Sequence, residues 1–195
     1  MLTPSHLLMT AALKKSLPRI PILTSAFLLG SIAPDLPLWF LSIGSIVYYH
    51  FAFGLNIAST SHYIFENLYF HNPFWISAHN TLHSPVLLFI GLGLVWRRRR
   101  YIGSRYRWLF WFLVACLFHT TVDIFTHVDD GPLLLFPLDW TVRFHSAISY
   151  WDVRYYGREF RQFEQTLDVI LFIYLVGSPV IQYFHRKFSS RATKS

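Results

Sequence analysis

Three side chains that can bind a metal ion recur at four-residue intervals in the stretch FHTTVDIFTHVDDGPLLLFP, residues 118–137. They are His119, Asp123 and His127. Residues four apart in a helix lie one above the other on one face. A helix here would therefore line up three potential ligands on a single stripe. The chain then breaks at residues 129–132, Asp-Asp-Gly-Pro, a turn sequence with two helix breakers.

A second pair with the same spacing, His79 and His83, lies in HNTLHS, directly before an apolar run. One such pair is weak evidence because the chain has ten histidines. Asp35 separates two apolar stretches, residues 20–33 and 36–53. A carboxylate in such surroundings is costly unless it is paired, solvated or bound to a metal. Its other expected role is to cap the following helix.

The remaining histidine and carboxylate signals near these stretches are weaker. His6 lies at the start of the first helical stretch, for which Ser5 is the expected N-cap, and an exposed terminal histidine is the alternative to a ligand. Residues 54–73 are mixed and aromatic, and we expect an irregular or interfacial segment there. Within it, His62 and Glu66 are four apart, and an exposed pair is the favoured interpretation.

The composition indicates a membrane protein. Hydrophobic residues make up 53% of the chain and charged residues 14%, against roughly 25% charged in an ordinary soluble protein. The 19 Phe, 11 Tyr and 7 Trp suit bilayer interfaces, where aromatic side chains collect. The net charge is +7, but Lys and Arg cluster at the ends of apolar runs and do not spread along polar faces, so no nucleic-acid partner is expected. The lone Cys116 lies in an apolar run and should be buried and inert.

The basic clusters predict a topology. By the positive-inside rule, residues 14–19, 97–107 and 186–194 should share the cytoplasmic side, with residues 129–165 on the other. Four segments each carry one potential ligand residue. At a rise of about 1.5 Å per helical residue, each of these lies about 13–24 Å from the basic residues expected at the cytoplasmic surface. We therefore expect an all-α, polytopic membrane helical bundle with a metal site at the non-cytoplasmic helix ends. Residues 1–195 would form one membrane-embedded domain. Several apolar runs are shorter than the usual span of about 20 residues, so the number of spans stays open.

The ligand types favour one kind of chemistry. His and Asp without Cys suit zinc or another borderline divalent ion. Six such residues would suffice for two ions that share a carboxylate, which could activate water and hold a phosphoryl group. Asp123 would bridge the ions. His127 would be a further ligand, a general acid, or a partner that orients a ligand by hydrogen bonding.

These motifs also carry a resemblance. Ser5-His6, Pro34-Asp35, HNTLHS at 79–84 and HTTVD at 119–123, with a later Gly131 and Pro137, occur in this order. Over roughly residues 1–140 the chain resembles a family of inner-membrane-associated, metal-dependent hydrolases, some of them LexA-regulated. That family is similar in turn to the zinc-dependent phospholipase C and single-strand nuclease superfamily. Asn80 stands where the family has an Arg, and Leu82 where it has a Thr.

The resemblance implies metal-ligand roles for six residues and a place in the bacterial cytoplasmic (inner) membrane. The six are His6, Asp35, His79, His83, His119 and Asp123. We expect a hydrolase that acts on a phosphoester such as a phospholipid head group, with Asp123 and His127 as catalytic residues. Aromatic residues within 150–156 and 160–163 would form a lid, and Arg154, Arg158 or Arg161 would hold a phosphate. The alternative for that stretch is an interfacial helix with snorkelling arginines.

Two other classes of function stay open. In one, the metal only holds helix ends together, because structural and catalytic sites differ in a single open coordination position. In the other, histidine pairs bind haem in a membrane electron-transfer protein. That would leave Asp35 and Asp123 without a role, and the chain has no C-x-x-C-H attachment motif.

Overall fold

The computed structural model describes residues 1–98 and 105–192, with side chains to residue 177. This part of the chain is helical, as expected, and contains no β-strand beyond one isolated bridge, Leu133 to Arg143. The helices are α1 (Thr3–Ser16), α2 (Thr24–Gly30), α3 (Leu36–Phe53), α4 (Ile57–Tyr63), α5 (Tyr69–His71), α6 (Pro73–Asn80), α7 (Pro85–Trp96), α8 (Arg105–Thr126) and α9 (Gly157–Ala192).

Two helices among the described residues, α3 and α8, are long and apolar enough to cross a membrane. The pair α6 and α7, bent by 46° at their junction, counts as a third if the two form one broken span. The structure therefore has two or three candidate spans. None of the residues of α3 is buried, whereas α8 buries 39% of its most apolar window. Much of the basic region at 97–107 and the side chains of the C-terminal tail lie outside the described residues, so the predicted sidedness stays a prediction.

The core is built around α8. On one side α8 packs against α7 through a cluster of Leu88, Val95, Leu113 and Cys116, and Cys116 is fully buried as expected. On the other side it packs against α2, where Gly30 lies so close that an added Cβ would overlap the carbonyl oxygen of Phe112. The middle of α8 thus contacts helices on both sides.

The first helix lies against the last one through polar contacts. The N-cap of α1 is Leu2, so the expectation that Ser5 caps this helix was wrong. Ser5 lies inside the first turn, buried, and its hydroxyl donates to Asp168 Oδ2 of α9 at 2.8 Å. The Leu2 N–H, one of the donors that a helix start leaves without an intrahelical partner, is bound by Glu164 Oε1 of α9 at 2.7 Å. Long-range contacts with α9, which the local cap signal does not include, therefore set the start of α1.

Residues 54–73 are more regular than expected. They form α4, a π-helical stretch at Ile64–Leu68, and α5, so the expectation of an irregular segment was wrong for most of this range. Asn56 caps α4 by accepting a hydrogen bond from Ser59 N at 2.8 Å. His62 and Glu66 form the expected exposed pair on this segment, with 3.0 Å between His62 Nε2 and Glu66 Oε2.

Candidate metal centre

Three separate segments bring four metal-ligating side chains together. His119 and Asp123 lie one turn apart in the last turns of α8, Asp35 directly precedes α3, and His83 lies in the turn between α6 and α7. One ligand atom from each of these four residues lies within 4.8 Å of all the others. The histidine and aspartate of HTTVD therefore share one helical face, as their spacing predicts. Asp35 does not cap α3 with its side chain.

The distances within this cluster fit a single metal ion. His83 Nε2 and His119 Nε2 are 3.2 Å apart. Asp35 Oδ1 lies 3.6 Å and 3.4 Å from these two nitrogens, and Asp123 Oδ2 lies 3.6 Å and 3.0 Å from them. Ligand atoms bound tetrahedrally to zinc at about 2.0–2.2 Å lie about 3.3–3.6 Å from one another. The four atoms thus have nearly the spacing of the corners of a tetrahedral site.

The hydrogen bonds around the cluster direct lone pairs towards its centre. His83 Nδ1 donates to the carbonyl oxygen of His79 at 2.9 Å, and His119 Nδ1 donates to that of Ser31 at 2.7 Å. Because a carbonyl only accepts, each neutral ring then carries its proton on Nδ1 and a lone pair on Nε2. Two such lone pairs and two carboxylates converge, and a cation at the centre would relieve their repulsion. A carbonyl partner for the outer nitrogen is common among metal-bound histidines.

His6 and His79, the other two ligands that the resemblance implies, flank this cluster. His6 Nε2 is 2.9 Å from Asp123 Oδ1, the oxygen that also contacts the Met1 amino group at 3.0 Å. The His6 ring is buried and stacks on His119 with 3.7 Å between ring centres. Burial lowers the pKa of His6 in spite of the nearby Asp123 carboxylate. His79 Nε2 is 3.1 Å from the hydroxyl of Tyr69, and no hydrogen-bond partner among the described residues meets its buried Nδ1. A second ion held by these residues stays a prediction.

A cavity of about 180 Å³ lies beside the cluster. Asp35, His83 and Asp123 form part of its polar lining, with His79, His127 and Asp130. Apolar and aromatic side chains line the rest, including Leu2, Pro4, Leu38, Trp39, Phe65 and Tyr150. Three members of the cluster can therefore be reached from this cavity.

His127 lies at the edge of this cavity, one residue beyond the end of α8. Its Nδ1 donates to the carbonyl oxygen of Asp123 at 2.9 Å, and its ring packs on Tyr150 with 4.7 Å between ring centres. Burial lowers the pKa of His127, which favours the neutral ring. His127 is outside the four-residue cluster, so the geometry suits a proton-transfer or positioning role better than direct ligation.

The arginines expected to hold a phosphate do not line the cavity. Arg154 is exposed and pairs with Asp152, with 2.6 Å between Nη2 and Oδ2. Arg158 and Arg161 are exposed on the first turns of α9. The contact of these three arginines with substrate therefore stays a prediction. Of the aromatic residues expected to form a lid, Tyr150 lines the cavity.

Two buried side chains that the sequence pattern did not single out hold the histidine turn in place. Asn80 Oδ1 accepts a hydrogen bond from Leu133 N at 2.8 Å, and Asn80 Nδ2 donates to the carbonyl oxygen of Ile76 at 2.9 Å. The Ser84 hydroxyl donates to the carbonyl oxygen of Phe136 at 2.5 Å. Asn80 and Ser84 thus attach the loop after α8 to the segment that carries His79 and His83. Their place inside HNTLHS is the signal that could have suggested this.

Over the described residues, fold and site together define a helical membrane protein in which two buried histidines, buried Asp123 and partly exposed Asp35 converge beside a cavity near helix ends. Residues 1–186 match the model of a family described as YdjM inner membrane protein, and the chain belongs to that family. The expected location in the inner membrane is thereby confirmed. No curated protein matches the chain, and no solved structure matches it.

Proposed function

We propose that this protein is a membrane-bound, metal-dependent hydrolase that acts on a phosphoester such as a phospholipid head group, with zinc as its metal. One observation carries the proposal: two imidazole nitrogens 3.2 Å apart face two carboxylates at the wall of a cavity. Nitrogen and oxygen ligands without thiolates suit zinc or a similar divalent ion. The ligands would be Asp35, His83, His119 and Asp123.

The residues around the cluster support a hydrolytic role. A divalent ion, when bound, supplies activated water and stabilises developing charge on a phosphoryl oxygen. His127, beside Asp123 and on the cavity wall, is placed to accept or donate a proton. The Tyr69 hydroxyl donates to the carbonyl oxygen of Asp130 at 2.6 Å and so keeps its oxygen oriented towards His79 Nε2. The Tyr69 contact would hold His79 in one orientation at the cavity.

The cavity lining supports an amphiphilic substrate. Its polar lining includes Asp35, His83 and Asp123 of the cluster. Its apolar lining includes Leu38 and Trp39 from the first turn of the candidate span α3. Trp39 and Phe65 are about half exposed and so continue the apolar wall to the outer surface. A phosphorylated head group would lie at the cluster, and the hydrocarbon part would lie along that wall. A lipid matches this division better than a fully polar metabolite does.

A structural metal site is the second candidate. Four side chains could together fill every position of a tetrahedral ion, and structural zinc sites are closed in this way. The cavity that reaches three of these ligands is the observation that favours catalysis. Haem binding fits less well. Axial nitrogens on opposite sides of an iron would be about 4 Å apart if each bond is near the roughly 2.0 Å of Zn–N bonds. The two nitrogens here are only 3.2 Å apart.

The test is turnover of a panel of phospholipids and phosphodiesters by zinc-loaded protein in liposomes. We expect hydrolysis that His119→Ala abolishes, because this change removes a ligand. His127→Gln should keep the metal and lose most of the turnover. His62→Ala, on the exposed pair with Glu66, is the matched control and should behave as the parent protein does. Metal retained with no turnover above the His119→Ala background would reject the enzyme and leave the structural metal site.

A further inference from the structure

The loop of residues 138–156, named the collar here, exposes an unusual number of apolar side chains. They are Leu138, Trp140, Val142, Phe144, Ile148, Trp151, Val153 and Tyr156. Leu138 is 81% exposed and Val153 is 69% exposed. Soluble proteins rarely expose large contiguous apolar patches, and such a patch usually marks a site of contact with another protein, a ligand or a membrane.

The collar is fixed to the end of α8 by hydrogen bonds. The Ser146 hydroxyl donates to the carbonyl oxygen of Phe125 at 2.7 Å, and Tyr150 N donates to that of Thr126 at 2.9 Å. These carbonyls belong to the last turn of the helix, where they lack intrahelical partners. Ser146 and Ser149 are buried, so these two side chains face inwards. The depth of the collar in the membrane is therefore tied to the end of the candidate span α8.

The apolar surface of the collar continues that of the helices beside it. Phe144 packs edge-on against Phe125, an exposed residue of the last turn of α8, with 5.5 Å between ring centres. On the side of α9, a groove of about 380 Å³ is lined by Ile148 and Tyr156 of the collar and by Phe160 and Phe163. Glu159 is the one charged residue among those that line it. The exposed apolar surface of the collar is thus continuous with the exposed Phe125 at the end of the candidate span α8.

The charged residues of the collar are engaged within the protein. Asp139 accepts hydrogen bonds from Thr141 N and Val142 N, at 2.7 Å and 3.1 Å. Arg143 donates to the carbonyl oxygen of Gly131. Asp152 and Arg154 pair with each other. Two Asp and two Arg leave the collar without net charge, although the side chains of Arg154 and His145 are exposed beside the apolar ones.

We propose that the collar is seated in the lipid surface at the end of α8, in the interfacial layer where Trp and Tyr side chains are stabilised. Attachment rests on apolar and aromatic contact and does not require anionic lipid. Asp123 lies three residues before the end of α8, or about 5 Å at the helical rise. The collar would therefore hold the metal-ligand cluster and its cavity at the depth of the lipid head groups. This inference does not depend on any reaction at that site.

Spin labels on single cysteines in a Cys116→Ser background test the proposal, because Cys116 is the lone cysteine. The full chain, reconstituted in lipid nanodiscs, would be labelled at Leu138→Cys or Val153→Cys. Phe40→Cys, highly exposed within α3, is the lipid reference, and Asp129→Cys, at the turn after α8, is the water reference. The measured quantity is the ratio of oxygen accessibility to that of a water-soluble nickel complex.

Spin labels at residues 138 and 153 should be several-fold less accessible to the nickel complex than the label at residue 129. Their ratios of oxygen accessibility to nickel-complex accessibility should lie between the ratios measured at residues 129 and 40. Nanodiscs of zwitterionic lipid alone and nanodiscs with anionic lipid added should give the same ratios. Accessibility equal to that of 129 would show that the collar faces water and would overturn the proposal. Protection from both reagents would show that a protein surface covers the collar and would also overturn it. A dependence on anionic lipid would overturn the apolar mode of attachment.

Discussion

Replacing Asn80 by Ala should destabilise the protein although Asn80 lies outside the metal-ligand cluster. The Asn80 side chain is buried, and its Oδ1 is the partner of the Leu133 N–H, which is also fully buried. The alanine variant would leave this donor unpaired and would remove the bond from Asn80 Nδ2 to the carbonyl oxygen of Ile76. It would also release the loop after α8 from the segment that holds His83.

The expected magnitude follows from these contacts. A buried donor left without a partner costs about 1–3 kcal/mol. For a protein of 150–250 residues, each kcal/mol lowers Tm by about 2–4 °C. We therefore expect Asn80→Ala to lower Tm by about 2–12 °C. The loss should persist in metal-free protein, because the two hydrogen bonds do not involve the cluster.

The assay is thermal unfolding in detergent micelles, followed by far-ultraviolet circular dichroism with and without a chelator. Asn67→Ala, at an exposed position of the π-helical stretch, is the matched control and should stay within about 0.5 kcal/mol of the parent. An unchanged Tm in Asn80→Ala would show that the two hydrogen bonds of the Asn80 side chain do not stabilise the fold. A loss seen only in the metal-loaded form would assign Asn80 to the metal site and not to the loop.

Two further predictions concern packing and topology. Gly30→Ala should cost about 1–3 kcal/mol, because an added Cβ overlaps a backbone carbonyl of α8, while Gly44→Ala, with no atom within 4 Å, should leave Tm nearly unchanged. Equal effects of the two changes would contradict the close packing of α2 on α8. Cysteine labelling in a Cys116→Ser background should place residues 97–107 and 186–194 on the same, cytoplasmic side of the membrane. Labelling of these two regions from opposite sides would contradict the topology.

The sequence predicts best the features that depend on local pattern. The apolar stretch at 36–53 became α3 with the same bounds, and Gly54 in the left-handed conformation ends the helix. His119 and Asp123 share a helical face because their spacing matches the helical period. The exposed pair of His62 and Glu66, which was the favoured interpretation of their spacing, is also confirmed.

Features that depend on distant contacts could not be predicted in this way. The bonds from Asn80 to Leu133 and from Ser84 to Phe136 join residues about fifty positions apart, and neither residue type indicates its partner. The start of α1 was missed for the same reason, since Glu164 satisfies the Leu2 N–H from the other end of the chain. The outward placement of Arg154 follows from its pairing with Asp152, which competes with any phosphate for the same guanidinium.

The metal content of the purified protein tests most directly whether four residues form one metal site. These residues are Asp35, His83, His119 and Asp123. The full chain, carrying an affinity tag without histidines, would be loaded with zinc, freed of unbound metal and measured by plasma mass spectrometry. We expect about one tightly bound ion per chain, because the four residues form a single tetrahedral site. His119→Ala and Asp123→Ala should lose it, while His62→Ala keeps it. If the parent protein binds no metal, or if both ligand variants keep the same metal content, these four residues do not form a metal site.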